Sequence, residues 1–381
     1  MECGRVLVAL SGGVDSSVAA YLLKRQGYEC IGVTMRLFDE DTPGRGRACG
    51  NSADIEDARA LAGRLGIPFH VLDRRAAFER DVIERFVDTY EQGLTPNPCA
   101  VCNRAIKFGA LLEHAREEGC AYLATGHYAR VAERADAEGR RTFDLLRAHD
   151  RTKDQSYFLY GLTQGALARV IFPLGGLTKE GDVRRIAAEQ GFENARKRDS
   201  QGICFVPGND FATFIERRRG KALEPGPVVD TAGNILGEHR GAIRYTVGQR
   251  KGLGVAAARP LYVTRVDART GTVTLGDERA LYASALVADS WTWCVPATEA
   301  DAIRAASAGG TGVAAQARTR YHQEGQEARI FAPEPDEAAG CTGEALRIAF
   351  TEPQRAIAPG QSVVAYDGDR VLGGGRIVRA L

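Results

Sequence analysis

Apolar and polar positions follow two different rhythms along the chain. From the N-terminus to about Arg147, short apolar runs alternate with stretches of helical periodicity. Val6 to Leu10 is continuous and apolar. After Ser11-Gly12-Gly13 the apolar positions resume at Val18, Ala19, Leu22 and Leu23, the spacing of a helix face. The same pattern predicts strands over Cys30–Phe38, Phe69–Leu72 and Tyr122–Thr125, and helices over Ser52–Leu65, Ala76–Gln92 and Asn103–Arg116. Asp39–Asn51 reads as a Gly- and Asp-rich loop, and Asp136–Arg141 as the turn of a hairpin. Such alternation predicts a parallel sheet with helices on both faces, and ligands in such sheets bind beyond the carboxyl ends of the strands.

Helical spacing continues over Lys153–Leu162 and Lys179–Gly191, and Asp199–Val206 reads as a loop between domains. Beyond Phe211 the rhythm changes to short β-rich pieces separated by glycines: Gly241–Val247, Leu261–Val266 and Gly271–Leu275. From Tyr282 the runs Val313–Arg320, Ala328–Phe331, Leu346–Phe350, Ser362–Tyr366 and Gly373–Val378 suggest a small barrel or sandwich. Ala297–Gly312, rich in Ala and Gly, reads as a surface loop. The expected organisation has three parts. An α/β N-terminal domain with a parallel sheet spans residues 1–210, a small central mixed or β domain spans 211–281, and a C-terminal β-barrel spans 282–381.

At 381 residues the chain exceeds one ordinary core, and with 44% hydrophobic and 26% charged residues its composition is globular. No apolar run is long enough to span a bilayer, and the first residues lack a signal-like pattern. Nine scattered cysteines, an odd number, do not resemble a secreted disulfide framework and suit a reducing cytoplasm. The net charge of +1 is uninformative, but its distribution is not. Lys179–Lys251 holds 14 Lys/Arg against 10 Asp/Glu, and Tyr282–Glu344 holds 4 against 9. A basic middle beside an acidic end suggests a polyanion footprint, with ordinary solvated helix faces as the equal alternative.

The chemistry concentrates in two places. In Val6–Tyr21 the glycines let a bound group approach the backbone, and the unpaired N–H groups at the helix start form an anion site suited to a phosphate chain. Asp15, Ser16 and Ser17 stand at its mouth, where a metal ion or a phosphate oxygen would be met. The kinase-type loop ends in GK[ST] and uses its lysine on the outer phosphates; SGGVDSS has none. The string resembles the SGGxDS pyrophosphate loop of enzymes that cleave ATP between the α and β phosphates. The second place is Thr95–Gly109 (TPNPCAVCNRAIKFG), where Cys99 and Cys102 sit at CxxC spacing just ahead of a helix. A helix N-terminus with Arg104 and Lys107 nearby favours a thiolate at Cys102. Cys204 lies far away in RDSQGICFV. Half of a structural zinc site is the plainer reading of CxxC, but no second ligand pair follows.

Taken in order, SGGVDSS, TPNPCAVCNRAIKFG, ATGHYAR, KDQSYFLY, DSQGICF, GQRKGLG, ARTRYH and PGQSVV closely resemble the bacterial tRNA-specific 2-thiouridylases over nearly the full length. The resemblance implies an adenine nucleotide alpha-hydrolase-like fold and replacement of the wobble-uridine O2 by sulfur. It implies ATP at Ala9, Leu10, Ser11, Gly12, Gly13, Val14, Asp15 and Ser16, with Met35 and Gly126 on the adenine and ribose side, and Mg²⁺ near Asp15. Cys102 corresponds to the family's nucleophile and Cys204 to its persulfide carrier. The implied tRNA contacts are Asn97, Pro98, Cys99, His127, Lys153, Asp154, Gln155, Arg320, Tyr321 and Gln361. The implied partners are the anticodon loop of tRNA and a sulfur donor protein, either a cysteine desulfurase or a sulfur relay protein, without a membrane.

One position departs from many relatives, which carry Asp where Cys99 stands. Cys99, Cys102 and Cys204 would then be three thiolate ligands of a four-iron four-sulfur cluster, whereas a persulfide relay needs only Cys102 and Cys204. Both schemes stay open on sequence. Two rivals from other classes share the loop: an amide-forming ligase, which needs no cysteines, and a non-catalytic nucleotide- or RNA-binding protein, which would release no pyrophosphate.

Overall fold

The computed structural model describes residues 4–38, 52–136, 138–197 and 202–381, so the loop expected over Asp39–Asn51 lies outside the described residues. The N-terminal sheet is wholly parallel. Its strands run in the spatial order Phe69–Asp73, Glu29–Arg36, Arg5–Ala9, Tyr122–Ala124, Val170–Ile171. The Arg5–Ala9 strand is apolar from Val6 onward because both faces are covered there. Leu7 packs with Phe108 and Leu111 on one side, while Val6 and Val8 pack with Val18, Ala58 and Leu61 on the other. The chain winds one way from this strand and then returns to its other side through Tyr122–Ala124. A crevice therefore opens between the carboxyl ends of these two strands.

The predicted helices form, with a shared irregularity. Wider turns with i→i+5 bonding occupy Glu79–Glu84, Asn103–Ala110 and Lys179–Val183. Three expectations are corrected, and one helix forms where no element was predicted. Lys153–Leu162 is not a helix; only Ser156–Phe158 makes a single 3₁₀ turn. The Asp154 carboxylate accepts the N–H groups of Ala148 and Ser156, so the backbone folds around it instead of propagating a helix. Gly241–Val247 is not a strand; Gly241 has φ +113° and leads into a 3₁₀ turn at Ala242–Arg244. Phe211–Arg219, at the head of the region read as β-rich, is a helix capped by Asp210 and ended by Gly220 at φ +65°. Ala297–Ala308 is also a helix, burying Ala300, Ile303 and Ser307; high intrinsic propensity had the look of low complexity.

A four-stranded sheet forms the central part, in the order Tyr262–Asp267, Thr272–Gly276, Gly226–Asp230, Ile235–His239. The C-terminal part is a closed barrel of six strands. Its order is Tyr282–Trp293, Leu346–Arg355, Gln326–Phe331, Val313–Arg318, Ser362–Asp367, Arg370–Ala380, and the last strand pairs back onto the first. Closure removes the sheet edges. A hairpin from the N-terminal half, Ala129–Ala135 with Arg141–Arg147, reaches the last barrel strand at Leu146–Arg370.

Candidate active site

The crevice beyond the Arg5–Ala9 strand is a cavity of about 360 Å³. One end is the phosphate loop. Gly12 has φ +70°, and a Cβ there would come within 2.6 Å of the Asp54 carbonyl oxygen, so the turn requires glycine. Gly13 precedes the helix Val14–Arg25, whose first internal bond runs from the Ser17 N–H to the Gly13 carbonyl at 3.2 Å. The amide groups before Ser17 are left without helical partners. Ser16 Oγ accepts from the Ser11 N–H and donates to the Gly13 carbonyl. From outside, Asn194 and Lys197 both donate to the Gly12 carbonyl. Ala9, Leu10, Ser11, Asp15, Ser16, Met35 and Gly126 line the cavity; Gly12, Gly13 and Val14 form the turn between them. A Cβ on Gly126 would meet the Asp15–Ser16 backbone at 2.8 Å, so glycine is what lets the two strand ends close on each other.

Sequence reasoning missed Lys179. Its Nζ lies 2.6 and 2.7 Å from the two Asp15 carboxylate oxygens, and the Tyr128 hydroxyl donates to one of them at 2.8 Å. Lys179 is 1% exposed. A buried ammonium needs a partner, which the loop supplies 164 residues away. Asp15 is also the only carboxylate lining the cavity among the described residues. Both of its oxygens are engaged by these donors.

The other end carries the sulfur chemistry. Asn97 caps the short helix Pro98–Cys102 by accepting the Ala100 N–H, and proline fits its first position. Cys99 is exposed and Cys102 half-buried. Cys204 is also half-buried and follows Gly202, whose φ of +83° and contact with Asn209 require glycine. Phe205, 1% exposed, anchors that loop among Phe78, Phe86 and Phe214. Cys102 and Cys204 pack on one apolar cluster, and Cys99, Cys102 and Cys204 all line the cavity that holds the phosphate loop. Among the described residues no three His, Cys, Asp or Glu side chains converge to hold a metal ion.

The implied tRNA contacts fall into two groups. Arg320 is exposed, Tyr321 packs its ring at a tilt against Phe158, and Gln155 lines the cavity while bonding both polar groups of the Tyr128 backbone. The other group is built into the scaffold. Asp154 is 3% exposed and accepts from Arg318 at 2.9 Å. Asn97 donates to Ser362, and Gln361 donates to the Thr95 and Pro96 carbonyls, so both tie the cysteine helix to the barrel. Pro98 is buried in that helix. His127 is buried between Phe108 and Phe172, with Nδ1 2.7 Å from the Thr125 hydroxyl. Burial, and then the charge of Lys107, hold its pKa well below the ordinary imidazole value. Lys153 is half-buried at a turn.

The basic middle is largely neutralised by the fold. Lys179, Arg184, Arg185, Lys197, Arg218, Arg219 and Arg244 all pair with carboxylates. Arg217, Lys221, Arg240, Arg250 and Lys251 remain exposed.

Three family models match in succession. A tRNA methyl transferase HUP domain matches residues 4–208, a tRNA methyl transferase PRC-barrel domain 212–277, and an aminomethyltransferase beta-barrel domain 283–377. The tRNA-specific 2-thiouridylase MnmA of Symbiobacterium thermophilum is 45% identical over 99% of this chain and 93% of its own length. That of Geotalea uraniireducens is 47% identical over 99% and 96%. Among solved structures, a 4-thiouridine synthetase–RNA complex with bound ATP is a looser likeness. It has 18% identity over 56% of this chain and 50% of its own, with a TM-score of 0.36, too distant to bear on the site. The domain descriptions and the relatives' names differ over the group transferred, and near-full-length identity at this level weighs toward the relatives. The chain belongs to the tRNA-specific 2-thiouridylase family.

Proposed function

We propose that the protein is an ATP-dependent tRNA-uridine 2-sulfurtransferase acting on the wobble uridine. The observation that carries this reading is one cavity lined at one end by a phosphate loop and at the other by cysteines from two stretches about a hundred residues apart. A uracil carbonyl oxygen is a poor leaving group. ATP solves this when O2 attacks the α-phosphorus, pyrophosphate leaves, and the oxygen becomes part of an AMP leaving group. The free amide groups of the loop stabilise the charge that develops. A persulfide on Cys204 then attacks C2 and AMP departs. The Cys102 thiolate attacks the Cys204 sulfur, releasing the thiocarbonyl and leaving a Cys102–Cys204 disulfide for an external thiol to reduce.

The substrate base is splayed out of the anticodon loop, as single-stranded RNA commonly presents itself to proteins. Exposed Arg320 and the exposed cations of the central part provide phosphate contacts, so binding weakens steeply with salt. A sulfur donor protein, a cysteine desulfurase or a relay protein, reaches Cys204. The substrate places the protein in the cytoplasm. Among the described residues no helix is long and apolar enough to cross a membrane.

The test incubates the protein with tRNA, ATP, Mg²⁺ and a persulfide donor and analyses the anticodon nucleosides by mass. The expected products are 2-thiouridine, AMP and pyrophosphate. ADP and phosphate as products would end this reading, and ammonia-dependent AMP formation indifferent to Cys102 would point to an amide-forming ligase.

A further inference from the structure

The charge balance of the cavity wall singles out one residue. Apart from the cysteines, only Asp15 and Lys107 among the described lining residues carry a formal charge at neutral pH, since His127 is held neutral by burial. The Asp15 charge is cancelled by Lys179, which lies behind it and does not itself line the cavity. Lys107 makes no hydrogen bond or ion pair with its side chain to any described residue. Lys107 is therefore the one cationic side chain among the described residues of the wall.

Its position depends on the wide-turn segment Asn103–Ala110. In a regular α-helix residues five apart point about 140° away from each other, so Cys102 and Lys107 would face different surroundings. The wider i→i+5 turn rotates them toward one side, and both line the cavity. Such departures from α-helical geometry concentrate at functional sites. The phosphate loop, moreover, lacks a lysine of its own, and Lys179 is committed to Asp15.

We propose that Lys107 binds the α-phosphate of ATP and stabilises the adenylation step. This rests on the reading given under Proposed function and deepens it. The O2 lone pair of uridine forms a bond to the α-phosphorus, and the bond to the bridging oxygen breaks with its electron pair leaving on pyrophosphate. The N3 proton is lost to solvent, leaving a neutral adenylated base. Throughout, Lys107 faces the non-bridging oxygens that the AMP moiety retains. It serves the phosphate rather than the Cys102 sulfur.

The experiment compares Lys107→Met and Lys107→Arg with the unchanged protein, measuring tRNA-dependent pyrophosphate release separately from 2-thiouridine formation. Removing one such charge-stabilising group should slow pyrophosphate release about 10²-fold or more. Thermal unfolding and tRNA affinity should hold, and Lys107→Arg should recover much of the rate. Pyrophosphate release at the unchanged rate in Lys107→Met overturns the proposal. That includes the case in which thiolation alone is lost, which assigns Lys107 to the sulfur instead. Binding of α,β-methylene-ATP without tRNA supplies a second readout, which the methionine variant should weaken roughly ten-fold or more. If the unchanged protein releases no pyrophosphate, the functional reading fails, and this binding measurement still decides for or against Lys107: equal affinity overturns it.

Discussion

The two ends of the cavity are built by different means. The phosphate end grows from one contiguous segment, Ala9–Ser17, and is pinned by neighbours inside the N-terminal domain: Asn194 and Lys197 on the Gly12 carbonyl, Lys179 and Tyr128 on Asp15. The sulfur end is assembled from two distant stretches, and its cysteine helix is held from the C-terminal barrel. Asn97 bonds Ser362, Gln361 bonds the carbonyls of Thr95 and Pro96, and the Gly360 backbone packs directly against Thr95. Adenylation geometry therefore depends on local structure, and sulfur geometry on docking between domains. Damage to the barrel should fall on the second half of the reaction before the first.

The largest effect should come from the cysteines themselves. Cys102→Ser or Cys204→Ser should take 2-thiouridine below detection while tRNA-dependent AMP formation continues, as assayed in parallel. Loss of both activities together would merge the two ends into one unit. Next comes the buried pair behind the docking surface, where Arg318 and Asp154 side chains are 8% and 3% exposed. Arg318→Met leaves Asp154 buried and unpaired and should cost about 3–5 kcal/mol in urea unfolding. Folded protein that remains should lose thiolation more than AMP formation.

His127 tests the wall between the two ends by pH. Its folded-state pKa is depressed by burial, so below the unfolded value the unfolded chain binds a proton that the native chain refuses. This contribution to stability is constant above about pH 6.5 and declines as pH falls, by at most about 1.4 kcal/mol per pH unit. His127→Gln should flatten that slope in unfolding measured between pH 7 and pH 5, and an unchanged slope would refute the assignment. The smallest effect is expected at the cap. Asn97→Ala removes both the Ala100 cap and the tie to Ser362, costing about 1 kcal/mol and slowing thiolation several-fold with AMP formation intact. An equal fall in both rates would erase the distinction between the ends.

Much of this was legible in the chain. An apolar run into SGGVDSS can hardly fold otherwise than as a strand, a glycine turn and a helix, because each step is set within a few residues. Cys204 in a glycine loop was likewise a local fact, and the spacing of motifs carried the family. The start of the cysteine helix was not: it begins at Pro98 under the Asn97 cap, so Cys102 ends that segment and does not stand at a helix N-terminus. Where local signals were weak or misleading, the reading failed. Alanine-rich Ala297–Ala308 became a loop on paper and a helix in the fold, since its buried face of Ala300, Ile303 and Ser307 exists only against the barrel. The apparent helix after Lys153 gave way to a turn wound around one carboxylate.

Charge is where sequence and structure part most. A window of sequence counts Lys179, Arg218 and Arg219 as part of a basic footprint. The fold places them against Asp15, Glu84 and Glu91, and the apparent footprint shrinks to a few exposed side chains. Electrostatic partners are chosen by distance in space, and no periodicity along the chain encodes a meeting of residues 15 and 179. The sequence alone determined the loop, the thiols and the family, all properties of contiguous residues. Only the tertiary structure decided that Asp15 is neutralised from behind, that Asp154 is a scaffold, and that Lys107 lines the cavity with no side-chain partner among the described residues, because each depends on which surfaces long-range packing brings together.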